Sequence, residues 1–104
     1  MTRIPDNIKD RLRDETDIVT ILARELPHLK RRGSIWTCCC PFHEEKIPSF
    51  TVSPRKQTFH CYGGSCGAGG DVFKFFMLRD RLTFPEAVRH VAHITNNDRL
   101  LPKE

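Results

Sequence analysis

At 104 residues the chain has the length of one domain, and 38% of its residues are apolar, so any hydrophobic core is small. No apolar run approaches the roughly 20 residues of a membrane-spanning helix, which predicts a soluble protein without a membrane partner. Five cysteines are an odd number, and the first residues lack the apolar core of a secretory signal. A simple disulfide framework is therefore disfavoured, and reduced thiols in the cytoplasm are expected.

The net charge of +4 is concentrated in the middle of the chain. Residues 26–70 carry six basic and two acidic groups, whereas residues 1–25 carry five and six, and residues 71–104 carry six and five. A local excess of positive charge favours a polyanionic partner such as nucleic acid.

Two short helices are predicted at the start of the chain. Ile8 and Leu12 share one helical face in residues 5–13, where proline stands in the first turn. Asp17 is a candidate N-cap for a second amphipathic helix, which runs to about Glu25 and is stopped by Pro27.

The pattern then changes to β-branched and aromatic residues separated by turn formers. Candidate strands lie at residues 34–38, 49–53 and 57–61, and the short segment 54–56 suits a hairpin turn between the last two. Further on, Asp71 is a candidate N-cap, and Thr83 with Glu86 forms a capping box that opens a last helix. The sequence thus predicts an α+β fold in a single domain, residues 1–104, with helices at 1–26, a three-stranded antiparallel sheet within 29–70 and helices at 71–95.

Two pairs of potential metal ligands flank the hairpin. Cys40 and His43 are separated by two residues, and Cys61 and Cys66 follow after a further seventeen residues. Three thiolates and one imidazole in a tetrahedral arrangement favour zinc. Because four protein ligands leave no open coordination position, a single structural Zn²⁺ is predicted, and the sheet becomes a zinc ribbon.

Other interpretations explain these residues less well. Buried free cysteines do not explain the paired spacing. Cys38 and Cys39 are surplus candidates, but Cys40 suits the turn to His43, and the other two are expected in the core or at an edge. A deaminase is disfavoured, because the H-x-E motif that begins at His43 is not followed by P-C-x-x-C.

A nucleic-acid surface is predicted on the ribbon. Lys30, Arg32, Lys46 and Lys56 could follow a phosphate backbone, with aromatic rings interleaved among them. Trp36 and Phe59 are open to either role, base stacking or core packing. His60 should point away from its neighbour Cys61, to the opposite face of the strand, where it could contact nucleic acid.

A long motif then adds a family resemblance. It begins Cys40-Pro41-Phe42-His43-x-Glu45-Lys46-x-Pro48-Ser49-Phe50, continues through Lys56-Gln57-x-Phe59-His60-Cys61, and ends Cys66-Gly67-Ala68-Gly69-Gly70-Asp71. The chain resembles the N-terminal zinc-binding, CHC2-type domain of bacterial DNA primases over nearly its whole length. Two features depart from the family pattern: Tyr62-Gly63-Gly64-Ser65 separates the last two cysteines where the family usually has two residues, and Ser34-Ile35 follows Gly33 where a basic residue and Asn are usual.

The resemblance implies a module that binds single-stranded template DNA and selects where an RNA primer begins. It also implies that the primer is made by a separate, Mg²⁺-dependent catalytic domain, so no catalytic residue is predicted in this chain. A second hypothesis is a stand-alone zinc-ribbon accessory protein that docks a replication protein, such as the primase core or a replicative helicase.

Overall fold

The computed structural model describes residues 6–42, 48–63 and 67–101. Within these residues the fold contains four α-helices and one antiparallel sheet of five strands. The α+β fold class is therefore confirmed. The elements, in chain order, are α1 (Asp6–Glu15), α2 (Ile18–Glu25), β1 (Lys30–Arg32), β2 (Ile35–Cys38), β3 (Phe50–Ser53), β4 (Thr58–Cys61), β5 (Gly69–Gly70), α3 (Val72–Asp80) and α4 (Phe84–Ile94), with a short 3₁₀ turn at Asp98–Leu100.

The sheet is wider than the sequence suggested. Its strands follow chain order from β1 to β5, each antiparallel to the next, and the three predicted strands are the central ones. The two edge strands are short and lack an alternating apolar pattern: β1 is three exposed cations and β5 is two glycines. Gly33, in the turn from β1 to β2, has a φ of 64°, a left-handed conformation that glycine adopts readily.

One face of the sheet carries the core. Successive side chains of a strand point to opposite faces, and Phe50, Val52 and Phe59 on β3 and β4 are all fully or almost fully buried. Phe50 and Phe59 stack with ring centroids 5.5 Å apart, and Phe75 of α3 packs edge-on against Phe59 at 5.9 Å. This covered face is therefore defined by the buried side chains of β3 and β4 and by the helix that packs on them.

Helix caps confirm several local predictions. The Asp71 carboxylate accepts a hydrogen bond from the Lys74 N–H at the start of α3. Thr83 and Glu86 form the predicted capping box of α4, with both reciprocal bonds present. These bonds satisfy N–H groups that the first helical turn cannot pair internally.

The N-terminus of α2 is capped by a residue that is distant in sequence. Asp17 occupies the predicted N-cap position, but its side chain makes no capping bond to the helix backbone. Instead, the Gln57 amide oxygen accepts the Ile18 N–H at 2.8 Å, and its nitrogen donates to Asp17 at 3.1 Å and to the Pro54 carbonyl at 2.7 Å. Gln57 has a φ of 55°, which is uncommon outside glycine. One side chain thus ties the β3–β4 turn to the helical N-terminus.

These bonds also act on the charge of Asp17. Burial acts to raise the pKa of its carboxyl, but hydrogen bonds, first those from Gln57 and Thr20, outweigh burial and hold the pKa below its usual value.

No helix in the described ranges is long and apolar enough to cross a membrane.

Candidate metal centre and nucleic-acid interface

The sheet topology brings the two predicted ligand turns to the same end. Because β2 and β4 are both antiparallel to β3, they run in the same direction and finish at the same end of the sheet, with Cys38 and Cys61 on either side of Phe50. Cys40 lies just beyond the end of β2, and the two predicted ligands Cys40 and Cys61 are 5% and 1% exposed. The other two predicted ligands, His43 and Cys66, lie outside the described residues.

Both of the predicted ligands that the structure describes, Cys40 and Cys61, receive backbone hydrogen bonds on sulfur. The Phe42 N–H donates to Cys40 Sγ and the Gly63 N–H donates to Cys61 Sγ, each at 3.4 Å. The Ser49 hydroxyl lies 3.7 Å from Cys61 Sγ. N–H groups directed at a sulfur stabilise its thiolate form, which is the form that binds metal. The two turns therefore have the polarity that a thiolate metal ligand needs.

The first ligand turn is fixed by an aromatic anchor. The ring of Phe42 lies between the ligand turn and the core, with centroids 6.1 Å from Phe50, 6.0 Å from Phe59 and 5.8 Å from Phe75. Such edge and tilted contacts are favourable aromatic geometries. Burial of Phe42 among these rings holds the neighbouring Cys40 against the end of the sheet.

The surplus cysteines differ from each other in exposure. Cys38 is buried on the covered face, opposite Phe50, whereas Cys39 is exposed. Burial, with a smaller contribution from the charge of Cys39, raises the pKa of the Cys38 thiol to about 11. Cys38 therefore behaves as a core residue of β2, and Cys39 points away from the core.

The two described members of the predicted donor set fit zinc. Two buried thiols at one end of a sheet, each with an N–H on its sulfur, match the soft-ligand chemistry that zinc prefers. Within residues 6–42, 48–63 and 67–101, no group of three potential ligands occurs. The four-ligand assignment thus stays a prediction.

The face opposite the core forms a second candidate surface, here called the open face. One row of paired residues crosses all five strands on it: Lys30, Thr37, Thr51, His60 and Gly69. A second row contains Arg32 and Ile35. The strands contain no acidic residue, so the charged side chains of this face are all basic.

The structure places the predicted DNA contacts on different sides of the sheet. Lys30, Arg32 and His60 lie on the open face and are exposed, and Lys56 is exposed in the adjoining β3–β4 turn. Lys46 lies outside the described residues.

The two aromatic residues that the sequence left open between stacking and packing both lie on the covered face. Phe59 is only 2% exposed and its ring packs in the core, so it cannot stack on a base. Trp36 pairs with buried Val52 and is half-buried on the covered face, away from Lys30 and Arg32. The alternation of the strands decides both cases, because these two residues share the face on which α3 packs.

One exposed ring was missed by the sequence analysis. Tyr62 is 72% exposed and its ring centroid lies 4.3 Å from that of His60. The signal was available, since a residue two positions after His60 in an extended chain returns to the same face. The Tyr62 N–H donates to the Ser49 carbonyl at 2.9 Å, which continues the extended pairing just past β4.

Comparison with known proteins gives consistent results. The family model described as the CHC2 zinc finger matches residues 4–101. Similar proteins include a DNA primase of Listeria monocytogenes, 49% identical over 94% of this chain, and one of Pseudomonas aeruginosa, 46% identical over 97% of it. The chain spans 15% and 14% of the lengths of these two relatives.

A solved structure agrees in fold as well as in sequence. The crystal structure of the Aquifex aeolicus primase, with its zinc-binding and RNA polymerase domains, matches with a TM-score of 0.79 and 42% identity. The match covers 86% of this chain and 21% of that one. The chain therefore belongs to the CHC2 zinc finger family, the family of the zinc-binding domain of DNA primases.

Proposed function

We propose that this chain is the template-binding module of a DNA primase, which holds single-stranded DNA on its open face for a separate catalytic domain. The main supporting observation is the segregation of the sheet into two faces. Lys30, Arg32 and His60 lie on the face without the core, on strands that contain no acidic residue. A surface of this kind attracts phosphates, and the family membership supplies the replication context.

Zinc serves this function as a structural ion. We propose that Cys40, His43, Cys61 and Cys66 bind one Zn²⁺ and so fix the end of the sheet that both ligand turns share. The ion, bound by four protein groups, supplies rigidity and no open coordination position. The need for reduced thiolates supports a reducing compartment, the cytoplasm, as the location of the module.

Catalysis belongs to another part of the primase in this proposal. Magnesium would bind in the catalytic domain, and the present chain contributes no catalytic residue. The catalytic domain is thus the first protein partner. Docking to a replicative helicase as a stand-alone accessory has no specific observation in its favour among the described residues.

Edge strands give a competing explanation for the cations. Lysine and arginine on an exposed edge strand discourage pairing with another chain, and β1 is such a strand. Its middle residue separates the two explanations, because Arg31 pairs with Trp36 and therefore lies on the covered-face side, whereas its neighbours lie on the open face. A binding role requires the open-face residues specifically, and an edge role does not.

The test is a matched pair of charge reversals in β1. We expect Arg32→Glu to weaken binding of a short single-stranded oligonucleotide about tenfold and to reduce the salt slope by about 0.7 per lost phosphate contact. Arg31→Glu makes the same change of net charge on the other side and should have a clearly smaller effect. Fluorescence anisotropy at several salt concentrations measures both quantities. Equal losses in the two variants, or salt-independent binding by the wild type, would contradict the proposal.

A further inference from the structure

The open face contains a groove beside the His60–Tyr62 pair. Its volume is about 590 Å³, which is within the range of small-ligand sites. Its lining combines the apolar side chain of Ile35 with polar and aromatic side chains, which include Thr51, Ser53, Lys56, Thr58, His60 and Tyr62. The groove is open to solvent along the sheet, so a longer chain could pass across it.

The two rings of the groove are held in a defined arrangement. Their planes are inclined by 61°, and this edge contact leaves most of the Tyr62 ring accessible. On its other side, the His60 ring lies directly over Gly69. A methyl group at position 69 would lie 2.9 Å from His60 Nδ1 and 3.2 Å from the Phe59 carbonyl oxygen. The absence of a side chain at Gly69 therefore gives the imidazole its position against Tyr62.

Hydroxyl groups and a cation complete the groove. Thr51 Oγ1 donates to the His60 carbonyl at 3.1 Å, so its oxygen lone pairs remain for a ligand. Ser53 Oγ accepts the Lys56 N–H at 3.2 Å, which leaves the hydroxyl proton of Ser53 to donate. Hydroxyls can both donate to and accept from the edge of a nucleobase, and the Lys56 ammonium suits an adjacent phosphate.

We propose that this groove holds one unpaired nucleobase of single-stranded DNA, stacked on Tyr62 beside His60 and contacted at its edge by the hydroxyls of the sheet. This inference rests on the proposed function and adds a residue-level base site to it. Phosphate binding alone needs only cations, whereas an exposed aromatic ring in the same groove as a lysine provides a stacking platform. Tyr62 becomes the stacking residue, and Gly69 becomes a positioning residue that acts through His60.

The experiment separates bases from phosphates. Short oligonucleotides of thymidine, deoxyadenosine or deoxycytidine are compared with a deoxyribose-phosphate oligomer of the same length that lacks all bases. For the wild-type protein with its metal, we expect at least one base-containing oligomer to bind about 5-fold to 150-fold more tightly than the abasic one. Tyr62→Ala should remove most of this difference while it retains the salt-dependent binding of the abasic oligomer. Tyr62→Phe, which keeps the ring, should preserve the difference.

One further variant tests the positioning role of Gly69, and another serves as a control. Gly69→Ala should reduce the base-dependent part of the affinity, because the added methyl displaces the His60 ring. Leu78→Ala, at a 39% exposed apolar residue of α3, is the control and should change neither oligomer's affinity. Thermal unfolding and zinc content, measured for every variant, identify any that fails to fold.

The outcomes distinguish this inference from the proposed function. If wild-type protein binds the abasic oligomer as tightly as all the others, and Arg32→Glu weakens both kinds of binding, the base site is wrong while template binding stands. The same conclusion holds if folded Tyr62→Ala retains the full preference for bases. If no oligomer shows salt-dependent binding, both proposals fall.

Discussion

The two faces of the sheet are built from neighbouring residues of the same strands, yet they differ in almost every property. On the covered face, Phe50, Val52 and Phe59 are buried, and Phe75 of α3 packs on the two phenylalanines; on the open face, Thr51 and His60 alternate with them along β3 and β4. Successive side chains of a strand point to opposite faces, so one set of alternate residues packs in the core and the other set is available for binding. Substitutions at adjacent positions should therefore affect different measurements.

Loss of the metal should have the largest effect on stability and on binding, because without the metal the sheet that carries both faces does not stay folded. A structural zinc contributes on the order of 10 kcal/mol to folding, which is comparable to the whole stability of a domain. We expect a chelator to abolish cooperative thermal unfolding and, with it, binding of single-stranded DNA. Circular dichroism during chelation and elemental analysis of the purified protein measure these effects.

Two neighbouring cysteines provide a matched test of the ligand assignment. Cys40→Ser should reduce zinc content and stability severely, because it removes a proposed ligand from a buried turn. Cys39→Ser changes the same chemical group at an exposed position and should retain one zinc per chain. Equal zinc loss in both variants would show that the ligand run has been assigned incorrectly.

The next largest effect on stability is expected at Phe59, and the adjacent His60 provides the comparison. Phe59→Ala should lower the free energy of unfolding by about 3–5 kcal/mol, since it removes a buried ring that packs on Phe50 and Phe75. His60→Ala should change stability by no more than about 0.5 kcal/mol, because the side chain is exposed. Denaturant unfolding measures both values.

Binding should show the reverse order for this pair. Under mild conditions in which both variants remain folded, His60→Ala should weaken binding of single-stranded DNA more than Phe59→Ala does. A large loss of stability from His60→Ala would contradict the assignment of separate roles to the two faces.

The same pair of residues shows what the sequence could and could not decide. Alternation places Phe59 and His60 on opposite faces, but it does not say which face a helix will cover. That depends on Phe75 of α3, which is distant in sequence and packs on Phe59. The sequence therefore left Phe59 open between core and stacking, and Trp36 on the same face was open for the same reason.

The edges of the sheet were harder to predict than its centre. The central strands have β-branched and aromatic residues bounded by turn formers, whereas β5 consists of Gly69 and Gly70, which have no side chains to give a periodic signal. It becomes a strand because its backbone pairs with Phe59 and His60 of β4. Gly70 also has a φ of 148° and no room for a side chain, since a methyl there would approach the Lys74 side chain at 2.6 Å.

The smallest of the predicted stability effects concerns the turn where the two faces meet. Gln57 links this turn to α2, whereas its neighbour Lys56 borders the groove on the open face. Gln57→Ala should cost about 1–2 kcal/mol, because the Ile18 N–H loses its cap and the turn loses its link to Asp17. Lys56→Ala should change the free energy of unfolding by no more than about 0.5 kcal/mol. The same substitution should weaken DNA binding and make the affinity less dependent on salt concentration.

Arg55 is the matched control for the Gln57 experiment, because it is exposed in the same turn. Arg55→Ala should leave stability within about 0.5 kcal/mol, so a larger effect of Gln57→Ala would report its hydrogen bonds and not the turn itself. Chemical denaturation of the three variants at one temperature gives the comparison. If Gln57→Ala proves as mild as Arg55→Ala, the bond to Ile18 contributes little, and the helices and the sheet are held together mainly by the aromatic core.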